Sequence, residues 1–130
     1  MTDLIAFLSA RRDEDEAVAK HAGGREWRTG CTCEGECPGY PSCERVEGDD
    51  ITIYNEGGHD AYQAEHIARH DPARLLREVE ADRALMAKLR QVEELGERLR
   101  VDTEILILRQ VIAIRAAIWN DHPDYEGWLQ

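Results

Sequence analysis

Four cysteines fall close together as Cys31-x-Cys33-x3-Cys37-x5-Cys43, and this clustering is the strongest chemical signal in the chain. Zinc takes soft thiolate ligands in a tetrahedron. Gly30, Gly35, Pro38, Gly39 and Pro41 supply the tight turns that would bring four thiolates onto one ion. Four protein ligands leave no open position for a substrate, so the expected metal is a structural zinc. The Cys31-x-Cys33 step is an unusually short chelate and the double C-x2-C pattern is absent. Free surface thiols, or a Cys37–Cys43 disulfide, therefore stay open as alternatives.

A second constellation lies further on. His66 and His70 stand four apart on a short predicted helix, so they share a face and could hold one metal between them, with His59 and Asp60 just ahead. A catalytic zinc would also need a base. Glu65 is adjacent, but Ile67 follows His66 and the H-E-x-x-H order is missing. The simpler reading places His70 at the helix end, where the C-terminal dipole favours an imidazole, and His66 on the surface. A mixed site of three cysteines with His59 or His66 is a further alternative. Neither Ser9 nor Ser42 sits in a nucleophile elbow, and no glycine-rich strand-to-helix loop offers a phosphate cradle. The acidic runs Asp13-Glu14-Asp15-Glu16 and Glu93-Glu94 read as solvated helix faces, balanced by Arg11, Arg12, Lys88, Arg90 and Arg98.

The elements that must position these groups follow from periodicity and punctuation. Asp3 to about His21 is predicted helical, with Leu4, Leu8, Arg11, Asp15 and Val18 at 4-3-4-3 spacing, Thr2 as the cap and Gly23-Gly24 as the stop. Beyond Arg25 the period becomes two. Glu26-Trp27-Arg28, Glu44-Arg45-Val46 and Ile51-Thr52-Ile53-Tyr54 read as strands, with Gly48-Asp49-Asp50 as a hairpin turn and the cysteine loop between the first and second. Asp60 to Arg69 is a short helix. Asp71-Pro72 then caps a long one to about Arg100, whose stripe of Leu75, Val79, Leu85, Leu89, Val92 and Leu99 is interrupted by Asp82 and Gly96. Asp102 offers another cap, and Thr103 to Asn120 forms a last helix that is apolar on several sides. The two long helices either fold into an antiparallel hairpin or run on almost continuously. Tyr125 and Trp128 carry rings suited to docking on the body or on a partner.

The expected fold class is α+β, mainly α: an N-terminal helix (1–24), a small antiparallel sheet with the cysteine loop (25–58), and a helical region (59–130). One domain is expected over 1–130, because 130 residues bury a real core without disulfides. The net charge of −11 argues against general nucleic-acid binding, since the phosphate-neutralising surface would have to be a local exception. Residues 105–119 form the most apolar segment, yet they contain Arg109, Gln110 and Arg115 and fall short of the roughly twenty residues a bilayer span needs. The start of the chain lacks the basic flank of a signal peptide, and a reducing cytoplasm is the expected compartment for the thiols.

The string Ala64-Glu65-His66-Ile67-Ala68-Arg69-His70-Asp71-Pro72-Ala73-Arg74-Leu75-Leu76-Arg77-Glu78-Val79, together with Leu4-Ile5-Ala6-Phe7-Leu8 and Asp13-Glu14-Asp15-Glu16, resembles an uncharacterised family of small proteins from Streptomyces, related actinobacteria and their phages. Asp121-His122-Pro123-Asp124-Tyr125 and Trp128 fit the same pattern, so the resemblance covers most of the chain. It implies an origin and a layout but no reaction, the family being a domain of unknown function. Members are expected to differ most from Cys31 to Tyr54, so the zinc expectation rests on spacing alone.

Two functions follow from the residues. The first is a non-enzymatic protein-binding or regulatory module stabilised by structural zinc. Its partner is a protein, its C-terminal helices join copies into a homo-oligomer, and a phage or prophage origin would make it an acidic protein occupying a basic host surface. The alternative is a small metal-dependent hydrolase using His59, His66 and His70. An apolar last helix needs covering on every side, which favours the first.

Overall fold

The computed structural model describes residues 3–30, 44–54, 61–99 and 101–129, without the side chains of 97–99. Cys31, Cys33, Cys37, Cys43 and His59 lie outside the described residues, and so does the site expected of them. The protein is mainly helical with a small antiparallel sheet. In chain order the elements are α1 (Leu4–His21), β1 (Arg28–Gly30), β2 (Arg45–Glu47), β3 (Thr52–Ile53), α2 (Ala61–Arg69), α3 (Pro72–Leu99) and α4 (Asp102–Ala116), the last followed by a 3-10 turn over Ala117–Trp119. The chain divides into two compact units, Glu16–Arg77 and Met1–Asp15 with Glu78–Gln130.

In the unit Glu16–Arg77, α1 ends as its glycines require. The Gly24 N–H donates to Ala19 and the Gly23 N–H to Lys20, with φ of 65° and 99°, so both final carbonyls are satisfied by a chain turning left-handed. The strands pair in order β1-β2-β3, with Thr29 opposite Val46 and Val46 opposite Ile53. The first strand begins two residues later than its alternation suggests. Trp27 is instead held by Asp71, which accepts the Trp27 N–H at 2.9 Å on one carboxylate oxygen and the Arg74 N–H at 2.7 Å on the other. A single buried carboxylate thus caps α3 and pins the chain entering the sheet. Gly48, in the β2-β3 turn, lies under the Trp27 indole. A β-carbon there would come within 2.6 Å of Trp27 Cδ1, so the turn needs glycine for space. Ala61, Ala64 and Ala68 form the buried face of α2, and Ala64 and Ala68 pack with the fully buried Val46.

In the other unit, α3 and α4 form an antiparallel hairpin, the first of the two arrangements open to the sequence. Arg109 donates to Glu93 at 2.6 Å, and Leu89 packs with Ile112. A β-carbon at Gly96 would sit 3.0 Å from Ile105 Cδ1. Gly96 therefore does not interrupt the stripe; it lets the two helices approach near their connection. The first part of α1 completes the core, in which Leu8, Met86, Leu89 and Ile112 are buried and Leu4, Ile5 and Trp119 pack around them. The start of α1 is capped by Asp3, which accepts the Ile5 N–H at 3.1 Å; Thr2, the expected cap, lies outside the described residues.

Two expectations about helix faces are corrected. Val18, placed on the inner stripe of α1, is exposed, while Phe7, Arg12 and Ala19 are buried, so the buried row runs Leu8-Arg12-Ala19. Asp82, read as an interruption of α3, occupies a core position in the series Val79-Asp82-Met86-Leu89. Its carboxylate is 3 % exposed and accepts from Arg12 Nε at 2.7 Å and from Arg115 Nε at 2.8 Å, joining α1, α3 and α4. Arg12, 2 % exposed, also donates to Asp15 at 2.8 Å and lies over the Trp119 ring at 4.7 Å. Asp82→Ala removes the charge that two arginines share and strands a buried guanidinium. It is expected to lower unfolding free energy by about 3–5 kcal/mol in a urea titration.

Candidate functional site

α4 begins at Asp102, one residue ahead of its predicted start, with Val101 in the cap position and no side-chain cap. Asp102 and Glu104 instead contribute negative charge to the first turn, where it favours the helix dipole. The helix, continued by the 3-10 turn that holds Ile118 and Trp119, carries two apolar rows. One, Ile105-Leu108-Ile112-Ala116-Trp119, faces its own unit: Ile112 and Ala116 are fully buried, and the others pack against the core. The other is Ile107-Val111-Ile114-Ile118, at intervals of four, three and four, exposed by 53 %, 37 %, 58 % and 58 %. At 100° per residue the rows lie roughly 130° apart, so one neighbour cannot cover both. Leu106 is exposed as well, on a third side of the helix, roughly 110° from the outer row.

The rotation that leaves this row outside is fixed by polar contacts. Arg115 makes two hydrogen bonds to Asp82, at 2.8 and 3.1 Å, and Arg109 reaches Glu93. The bond to Asp82 holds the Arg115 guanidinium pKa above its ordinary value against the opposing effect of burial, so the arginine remains charged. Rolling α4 to bury the outer row would break both arginine contacts and expose Ile112. The apolar surface is therefore held outward by the same contacts that build the core.

The histidine pair has a different character. His66 and His70 are both exposed on the α2 surface, their ring centroids 4.2 Å apart. The His70 Nδ1 lies 2.7 Å from the His66 carbonyl, which commits that nitrogen to the helix end. Glu65, the neighbouring carboxylate, is paired with Arg69. Tyr62, Glu65, His66 and Arg69 line a shallow, open depression of about 260 Å³, and His70 is not part of its lining. Among the described residues no three His, Cys, Asp or Glu side chains are grouped to hold a metal ion.

The remaining chemical candidates are occupied locally. The acidic run of α1 is paired residue by residue: Asp13 with Arg83, Glu14 with Arg11, Asp15 with Arg12 and Glu16 with Lys20. Ser9 lines a groove of about 230 Å³ with Ile5, Arg83, Met86, Ala87 and Arg90, which brings no general base to its hydroxyl. The C-terminal segment docks on its own unit. Trp128, His122 and Tyr125 close over the buried Phe7 ring with centroids at 5.0, 5.6 and 5.9 Å, and Arg11 contacts His122. The two aromatics singled out from the sequence are thus spent on packing, whereas a row of apolar side chains on α4 stays exposed.

These features define a helical-hairpin protein with an uncovered apolar helix face. The chain belongs to the Family of unknown function (DUF6221), which matches residues 1–130. No curated protein and no solved structure matches it. Among the described residues no helix is long and apolar enough to cross a membrane.

Proposed function

We propose that this protein is a non-enzymatic, regulatory protein-binding module whose binding surface is the outer face of α4, and that the first partner of this face is another copy of the chain. The observation that carries the reading is the row Ile107-Val111-Ile114-Ile118, four β-branched side chains exposed together on one helix face. Transferring such a row out of water is favourable by about 25 cal/mol per Å². A helix that is apolar on opposite sides is ordinarily covered on both. The closed Arg12–Asp82–Arg115 network supports the reading from the other side, because it makes the hairpin a rigid platform for that face.

The cysteine segment has a supporting role in this proposal. Cys31, Cys33, Cys37 and Cys43 hold one structural zinc, the soft tetrahedral ion their chemistry suits, in the reducing cytoplasm where thiols persist. Protein purified without added zinc is expected to contain about one equivalent per chain, and Cys33→Ser to lower both zinc content and melting temperature. The paired substitution His66→Ala with His70→Ala should leave zinc content unchanged and alter stability by no more than the roughly 0.5 kcal/mol typical of exposed positions. Retention of full stability and zinc by the serine variant would refute the cysteine site.

The binding surface is tested by sedimentation velocity at micromolar concentration. The wild-type chain is expected to sediment as a dimer and Ile114→Glu as a monomer with unchanged helical circular dichroism, since the replaced side chain faces outward. A wild-type monomer under these conditions contradicts the proposal.

A further inference from the structure

The outer row of α4 has a symmetry beyond its apolarity. Its intervals of four, three and four read the same in both directions about a midpoint between Ile112 and Ala113. Resting on the reading of this face as a binding surface, we infer that α4 pairs with α4 of a second copy in antiparallel orientation about a two-fold axis. Ile107 then comes level with Ile118 of the second copy, and Val111 with Ile114.

A two-fold interface requires one patch to be complementary to itself, and a palindromic row meets that requirement directly. Alternating steps of three and four are also the spacing at which side chains of one helix enter the gaps of another. Every position in the row is β-branched, so little side-chain freedom is lost on packing. Antiparallel alignment places each helix's positive end beside the other's negative end.

Charge selects a second copy over a basic partner. The chain carries −11, yet α4 balances Asp102 and Glu104 against Arg109 and Arg115. A basic surface would be drawn to the acidic remainder of the molecule, whereas this neutral face is where two like-charged copies approach with least repulsion. Three isoleucines more than half exposed, a valine and the stems of flanking residues provide on the order of 1,000 Å² or less for the pair, at the low end for a specific interface. That size fits a micromolar dimer. Two hairpins joined in this way form a four-helix layer with the α4 helices at its centre.

The register is tested by sedimentation of the wild-type chain, Ile107→Lys, Ile118→Glu and the double variant, with helical circular dichroism confirming that each is folded. Antiparallel pairing sets each introduced lysine against an introduced glutamate of the other copy. The double variant is then expected to associate at least tenfold more tightly than either single variant. Parallel pairing would set lysine against lysine and glutamate against glutamate. A double variant that associates no better than the weaker single variant overturns the antiparallel register while leaving α4 as the interface. A monomeric wild type overturns the binding surface itself.

Discussion

One carboxylate fixes the geometry of the hairpin unit. Asp82 sits at a core position of α3 and is shared by Arg12 of α1 and Arg115 of α4, both within hydrogen-bond distance. Such a group adds little net stability over an apolar replacement, because desolvating three charges costs most of what their attraction returns. What it supplies is selectivity among packings. Leu8, Met86, Leu89 and Ile112 would tolerate several rotations of the helices around them, but any rotation that parts Asp82 from its arginines leaves a charge buried without a partner. Apolar packing closes the unit, and the ion network chooses which closed arrangement it adopts.

That choice determines the surface. With Arg115 drawn toward Asp82, the Ile105-Leu108-Ile112-Ala116-Trp119 row of α4 must face inward, and Ile107, Val111, Ile114 and Ile118 must face outward. The apolar face is therefore not a loosely packed remnant. The tail reinforces this division by covering Phe7 with Tyr125 and Trp128, so those rings pack within the unit. Arginine and lysine pair off the acidic run of α1 in the same way, so the polar surface near that helix is internally matched.

Features encoded by a few adjacent residues were legible in the sequence. Asp71-Pro72 marks the start of α3 and Gly23-Gly24 the end of α1, because caps and left-handed turns depend on local chemistry. The helical hairpin was not legible, since it depends on contacts such as Arg109 with Glu93 and on the close approach at Gly96. Asp82 was misread for the same reason. A charge in an apolar stripe looks like an interruption until its partners are found on two other helices. The available signal was coincidence: Arg12 follows Leu8 by four and Arg115 follows Ile112 by three, so opposite charges occupy core-side positions of three helices at once. Of the candidate site residues, His66 lies on the short helix as expected and His70 directly after its last residue, while the all-round apolarity of the last helix pointed to the face left exposed.

The most direct measurement of whether this face is covered in the working protein is the thermal midpoint as a function of concentration. If folding is linked to pairing through α4, mass action raises the midpoint steadily between about 1 and 100 µM chain. A midpoint that stays constant over that range would contradict the claim that the outer row of α4 is an interface between copies.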